Sequence, residues 1–224
     1  MVEKVQFEEG GRRLSALWNK PENPTAVVVL AHGAGNGMKN PLFDGISRGF
    51  EENNVATFRF NFPFTEEGRR GPDRPPVLMA AWRAALEVAE QRAAGRPLVA
   101  AGKSLGGRMA SMVAAEDGDV FPATSLVFFG YPLHAPGRID RPRDAHLPEV
   151  RVPMLFIQGD ADPLARFDLV ESLVDRLKPR ARLHRVEGGD HSFRVRRTKR
   201  PDTEIGRDLA AVATGFITDI DGAR

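Results

Sequence analysis

Short apolar runs, each cut off by glycine or polar residues, constrain this chain more than any other feature of its sequence. The first, Ala26-Val-Val-Val-Leu-Ala31, is continuous and rich in β-branched residues. A run of that kind suits a strand buried on both faces. Similar runs follow at residues 56–60, 98–101, 125–129 and 154–157, with a weaker one at 182–186. Helical spacing lies between them. Trp82, Ala85, Leu86 and Ala89 recur on one helical face, as do Val170, Leu173, Val174 and Leu177, and Ile205, Leu209, Val212 and Phe216. Strands alternating with helices predict right-handed βαβ units and a mostly parallel sheet covered on both faces. Ahead of them, Val5 and Phe7, then Leu14, Ala16 and Trp18, alternate with polar residues around Gly10-Gly11 and predict a β-hairpin. The expected fold class is therefore α/β: a three-layer sandwich entered through an antiparallel hairpin, spanning residues 1–224 as one domain with no cap domain.

Composition narrows the function classes. Lys plus Arg number 32 against 30 for Asp plus Glu, a near-balance that argues against a dedicated nucleic-acid binder. The chain has no cysteine, which removes disulfides, thiolate metal sites and a cysteine nucleophile together. Its longest apolar run, at 26–31, is far too short to cross a bilayer, and residues 1–10 lack the apolar stretch of a signal peptide. A cytoplasmic protein with no membrane partner is expected. Residues 131–150 break the alternation, carrying Pro132, Pro136, Pro142 and Pro148. Prolines at that density leave little room for a helix and predict a loop near the functional site.

In a sheet of this kind ligands bind beyond the carboxyl ends of the strands. The residues that follow the runs are His32-Gly-Ala-Gly35, Asn61, Gly102-Lys-Ser104, Gly130-Tyr-Pro132, Gly159-Asp-Ala-Asp162 and Gly188-Gly-Asp-His191. Gly102-Lys-Ser-Leu-Gly106 fits G-x-S-x-G. The pattern alone is a weak signal, but it follows a strand run and precedes the helical pattern of Met109 to Val113. Strand, tight turn and helix are the setting a nucleophilic serine requires. Ser104 could instead merely cap that helix. A phosphate loop is excluded, because its first glycine would fall at Pro97.

A serine nucleophile needs a base, and the chain has five histidines. His191 follows the last strand through Gly188-Gly189, where a loop can carry a side chain over the sheet edge. His184 lies within a strand, His134 and His146 lie in the proline-rich loop, and His32 precedes the serine. An acid must orient the base, and both Asp160 and Asp162 follow the fifth run. Spacing does not separate them, and Asp162-Pro163 also reads as a helix cap. Backbone N–H groups of Leu105 and Ala34 are the expected oxyanion donors. For substrate binding the candidates are Arg59, Asn61, His32 and Tyr131, with the Arg59 guanidinium suited to a carboxylate. The plainer alternative makes Arg59 a structural ion pair and leaves Lys103, Arg69, Arg70 and Arg74 solvated.

Together, His32-Gly33, the serine motif, Gly159-Asp-Ala-Asp162 and Gly189-Asp-His191 resemble the α/β-hydrolase superfamily, close to dienelactone-hydrolase-like proteins. The chain order Ser104, Asp162, His191 matches that superfamily, and its G-x-x-D pattern points to Asp162 over Asp160. Dienelactone hydrolase itself uses cysteine, a departure here. Phe58-Arg-Phe-Asn-Phe-Pro63, Gly102 to Arg108, Gly130-Tyr-Pro-Leu-His134 and Gly189-Asp-His-Ser-Phe193 are similar to a narrower branch of small hydrolases. That branch is similar to a testis-expressed protein and to the hydrolase-like subunit of a histone acetyltransferase complex. The resemblance implies a serine hydrolase acting on an ester, thioester or amide of a small soluble molecule, with no metal or organic cofactor. A binding or scaffold protein on the same fold is the alternative from another class.

Overall fold

The computed structural model describes residues 2–222. Two antiparallel strands come first, β1 (Val2–Glu9) and β2 (Arg12–Asn19), in register from Glu9 opposite Arg12 to Val2 opposite Asn19. Gly10 and Gly11 both have positive φ, the conformation a two-residue hairpin turn of this hand demands. The remaining strands are β3 (Ala26–Ala31), β4 (Val55–Phe60), β5 (Leu98–Lys103), β6 (Ser125–Phe129), β7 (Met154–Gly159) and β8 (Ala181–Val186). They form one eight-stranded sheet in the order β1-β2-β4-β3-β5-β6-β7-β8. From β4 onward in that order every pairing is parallel. The expected class, an α/β sheet entered through a hairpin, is the observed one.

Strand side chains alternate between two cores. Val27, Val29 and Ala31 face α3 (Pro75–Ala93), α4 (Leu105–Asp117) and α5 (Phe167–Leu177). Val28 and Leu30 face α1 (Pro41–Glu52) and α6 (Asp202–Gly222). A single turn, α2 (Pro63–Glu66), lies between β4 and α3. Helix α1 has no counterpart in the apolar periodicity read from the sequence. It is capped by Asn40, whose side chain accepts from the Phe43 N–H, with Pro41 in its first turn. Its Gly45 and Gly49 let it lie directly on α6: a Cβ at Gly45 would collide with the Thr203 carbonyl, and one at Gly49 would stand 2.8 Å from the Ala210 Cβ.

The proline-rich stretch 131–150 is irregular except for one 3-10 turn at Leu147–Glu149. It is tied down along its length. The Tyr131 hydroxyl donates to the Arg143 carbonyl at 2.8 Å, and His134 N–H donates to the Leu164 carbonyl at 2.9 Å. Leu147 and Val150 are buried in the α3/α4/α5 core. No described helix is long and apolar enough to cross a membrane.

Candidate active site

Ser104 stands between β5 and α4 with φ +52°, a conformation a non-glycine residue adopts only under constraint. The constraint is visible on either side. A Cβ at Gly102 would run into the backbone of Gly106 and Gly107, and one at Gly106 into the Ala31 carbonyl. Glycine at those two positions lets strand and helix close to this distance. Ser104 N–H donates to the Phe129 carbonyl at 3.2 Å, and Trp82 Nε1 clamps the Gly106 carbonyl at 3.0 Å.

Beyond β7 and β8 two chain segments meet through a second glycine contact. A Cβ at Gly159 would collide with the Gly189 carbonyl, which instead accepts from Ala161 N–H at 3.0 Å. That approach sets Asp162 beside the loop carrying His191. His191 Nε2 lies 2.9 Å from Ser104 Oγ, and its Nδ1 lies 2.7 Å from Asp162 Oδ2. The Asp162 carboxylate is fully enclosed. It also accepts from Gln158 Nε2 at 2.7 Å and from Leu164 N–H at 2.8 Å. Asp160 faces elsewhere, pairing with Arg185 and accepting from Gly188 N–H at 2.7 Å. Ser104, His191 and Asp162 thus form a hydrogen-bonded chain, and Asp160 is outside it.

A cavity of about 610 Å³ opens over Ser104. Gly33 and Ala34 form one side, Leu42 and Phe43 of α1 another, and Lys103, Leu164, Ser192 and Arg194 are among the other residues that border it. Among the described residues, neither Ala34 N–H nor Leu105 N–H has an acceptor, and Leu105 is the first residue of α4. Free N–H groups at a helix start suit a developing negative charge. A second hollow of about 660 Å³ lies behind the His191 loop, between β8 and α6. It reaches neither Ser104 nor His191, so the smaller cavity is the one beside those two side chains.

None of the four residues expected to bind substrate lines that cavity. Arg59 lies inside β4 and is bound to Asp44 at 2.7 Å, the structural ion pair that was its alternative. Asn61 Oδ1 accepts from Met38 N–H at 2.8 Å and so anchors the loop after β3. His32 is wholly buried, its Nε2 accepting from Phe62 N–H and its Nδ1–H donating to the Gly33 carbonyl. Burial pushes its pKa down to about 4. Tyr131 packs between Phe128 and Phe156 in the core. Residues at strand ends were the right place to look, but these four side chains turn away from the cavity into packing. Lys103 corrects another expectation. It is buried, not solvated, and its Nζ has no hydrogen-bond partner among the described residues.

Several wall residues carried no sequence signal of their own. Leu42 and Phe43 lie on α1, which the periodicity did not reveal. Gln158 is a polar side chain closing an apolar strand, a signal that could have been followed. No cluster of three or more His, Asp or Glu side chains suited to a metal occurs among the described residues.

Compared with known families, residues 24–218 match the model of the alpha/beta hydrolase domain. The chain belongs to the alpha/beta hydrolase family. Solved structures of similar shape share its fold at low identity. An alpha-beta serine hydrolase homologue from Coxiella burnetii superposes with a TM-score of 0.75 at 20% identity, over 94% of this chain and 96% of that one. A dienelactone hydrolase from Anabaena variabilis ATCC 29413 gives 0.75 at 20% identity, over 94% and 95%. XC6422 from Xanthomonas campestris, described as an a/b serine hydrolase without lid, gives 0.74 at 20% identity, over 96% and 94%. As an alpha/beta hydrolase the chain has hydrolase activity as its general expectation, and its own site must supply the specifics.

Proposed function

We propose that this alpha/beta hydrolase is a serine hydrolase that cleaves an ester, thioester or amide of a small soluble molecule through an acyl-enzyme. The observation that carries the reading is the chain from Ser104 Oγ to His191 Nε2 at 2.9 Å and from Nδ1 to Asp162 at 2.7 Å. Ser104 Oγ attacks the carbonyl carbon while its proton passes to His191 Nε2. The Asp162 carboxylate holds Nδ1–H, fixes the tautomer and stabilises the imidazolium as it forms. The carbonyl oxygen, now negative, is received by the N–H groups of Leu105 and Ala34. The proton on Nε2 then goes to the leaving group, and the C–O, C–S or C–N bond breaks. Water repeats the sequence on the acyl-enzyme and restores Ser104. Nothing in these steps calls for a metal or organic cofactor.

The narrower resemblance, to small hydrolases similar to a testis-expressed protein and an acetyltransferase-complex subunit, rests on the motifs around Asn61, Ser104, Tyr131 and His191. A cytoplasmic setting belongs to the same reading. The test is labelling by a fluorophosphonate together with hydrolysis of p-nitrophenyl acetate. Both are expected of the parent, and Ser104→Ala should lose labelling and at least roughly 10³-fold in kcat while its thermal unfolding is unchanged. A Ser104→Ala protein that turns over as fast as the parent would reject the mechanism.

A further inference from the structure

Lys103 precedes the nucleophile, and its side chain runs inward. Its Cγ passes beneath Gly33, where a Cβ would stand 3.9 Å away. Its Nζ ends between four chain segments. A Cβ at Gly130, beyond β6, would lie 3.2 Å from Nζ and 3.5 Å from the His191 carbonyl oxygen. The Phe193 ring centroid is 5.7 Å from Nζ. Two carboxylates act on the ammonium, Asp162 beyond β7 and Asp190 next to His191. His191 and Arg194 are further titratable or charged groups of that loop at the same cavity. Helix α1 presents the apolar Leu42 and Phe43 to the same cavity, and the first carboxylate of α6, Asp202, is taken by Arg194 at 2.7 Å. The ammonium therefore sits where the ends of β5, β6, β7 and β8 converge, the ends that hold the reactive side chains.

An ammonium buried without a hydrogen bond is a poor space-filler. Methionine would occupy similar volume with no charge to desolvate. What lysine adds is attraction to Asp162 and Asp190 and to the face of the Phe193 ring. Asp190 in turn shapes the His191 loop, its Oδ1 accepting from Ser192 N–H at 2.7 Å and Arg194 N–H at 3.0 Å. We propose that Lys103 is a positioning residue whose positive charge, drawn to Asp162 and Asp190, holds the His191 loop over Ser104, so that the site is fully competent only while Lys103 is charged. Its side chain borders the cavity over Ser104, and its role runs through the His191 loop. The proposal rests on the serine-hydrolase reading and adds the group that keeps that site assembled. Burial lowers the Lys103 pKa to about 8, against the opposing pull of Asp162 and Asp190. Its charge is then lost as pH rises through about 8, well below the range of an ordinary lysine near 10.4.

The test uses the full chain and the Lys103→Met variant. Lysine Cε resonances of the ¹³C-labelled protein are followed from pH 6 to 11, and the fluorophosphonate labelling rate of Ser104 is measured from pH 6 to 10. One resonance, missing in Lys103→Met, should titrate near 8. The parent labelling rate should fall roughly 10- to 100-fold through the same midpoint, the size of loss expected from a misplaced reacting group. Lys103→Met should start at that low rate at pH 7 and stay level, so that the two profiles meet by pH 10. Its KM for p-nitrophenyl acetate should stay within about twofold of the parent while kcat falls. A parent rate that stays level through the lysine midpoint overturns the proposal. So does a Lys103→Met protein that labels like the parent, or one that falls short by the same factor at every pH. If Lys103→Met does not fold, coincidence of the parent's two midpoints decides the matter. A parent that never labels at Ser104, with the lysine titrating near 8, rejects the serine-hydrolase reading instead and removes the basis of this one.

Discussion

Asp160 and Asp162 stand two residues apart and hold different partners. Asp162 is enclosed and satisfies Gln158, Leu164 and His191, whereas Asp160 tethers Arg185 and Gly188 at the surface. Asp162→Asn keeps the volume but presents a donor to Nδ1 where an acceptor is needed, which favours the wrong imidazole tautomer. A loss on the order of 10⁴ in kcat is expected. Asp160→Asn should leave kcat within a few-fold, because neither of its partners, Arg185 and Gly188, belongs to the Ser104–His191–Asp162 chain. Steady-state kinetics on the two variants side by side checks this, and a reversed order would reassign the acid. Arg59 belongs to the same scale. It is bound to Asp44 inside the sheet layer, so Arg59→Met should change kcat/KM equally for esters with and without a distal carboxylate. A selective loss of the carboxylate ester would return Arg59 to substrate binding.

Helix α1 shows what local pattern can and cannot reveal about an element. Two glycines in its interior weaken both helix propensity and apolar periodicity, and each costs about 1 kcal/mol relative to alanine in an isolated helix. They are there because α6 lies against them. Gly45→Ala should therefore destabilise the protein by about 1–3 kcal/mol by overpacking, despite the gain in propensity. Gly215→Ala, exposed on α6 with nothing within 4 Å of the new Cβ, should stabilise by roughly 0.5–1 kcal/mol. Urea denaturation of the pair separates packing from propensity. Because Leu42 and Phe43 of α1 wall the cavity, Gly45→Ala should also lower activity. The legible elements were those whose signal is local: the hairpin, the five buried runs with the weaker one at 182–186, and the helices with unbroken apolar faces. Strand ends were less legible. The runs at 98–101 and 154–157 stop short of β5 and β7, which continue through Gly102-Lys103 and Gln158-Gly159. Those polar and glycine residues are buried because the site is there, and an apolar count cannot see them. The Ser104, Asp162 and His191 candidates were found by chain order and resemblance. The four substrate-binding candidates do not line the cavity, because a strand end fixes where a residue sits and not which way its side chain turns.

At the scale of the whole molecule, burial and closure set how the protein answers its surroundings. His32 and His146 are both held near pKa 4 by burial, below the ordinary value of 6.5. The unfolded chain thus binds more protons between pH 6.5 and 4, and stability should fall as pH drops through that window. Thermal melts should fall over this range, more gently in His146→Gln, whose amide can still meet the Ser111 hydroxyl that His146 Nε2 contacts at 2.8 Å. The cavity over Ser104 has a second consequence. Its walls are loops and helix starts, and the His191 side chain is 24% exposed without any movement. The longest irregular stretch, 131–150, contributes no residue to those walls and is fixed by the Tyr131–Arg143 and His134–Leu164 bonds. A third bond, from Arg166 N–H to His134 Nε2 at 2.9 Å, locks it further. Nothing among the described residues is placed to lift off the cavity at an oil–water boundary. Hydrolysis of a p-nitrophenyl ester series should then favour short acyl chains, and the rate on a long-chain ester should rise smoothly through its critical micelle concentration. A sharp rise there would mean that the 131–150 stretch or the His191 loop opens on contact with lipid. Those bonds would then have to break in the working enzyme.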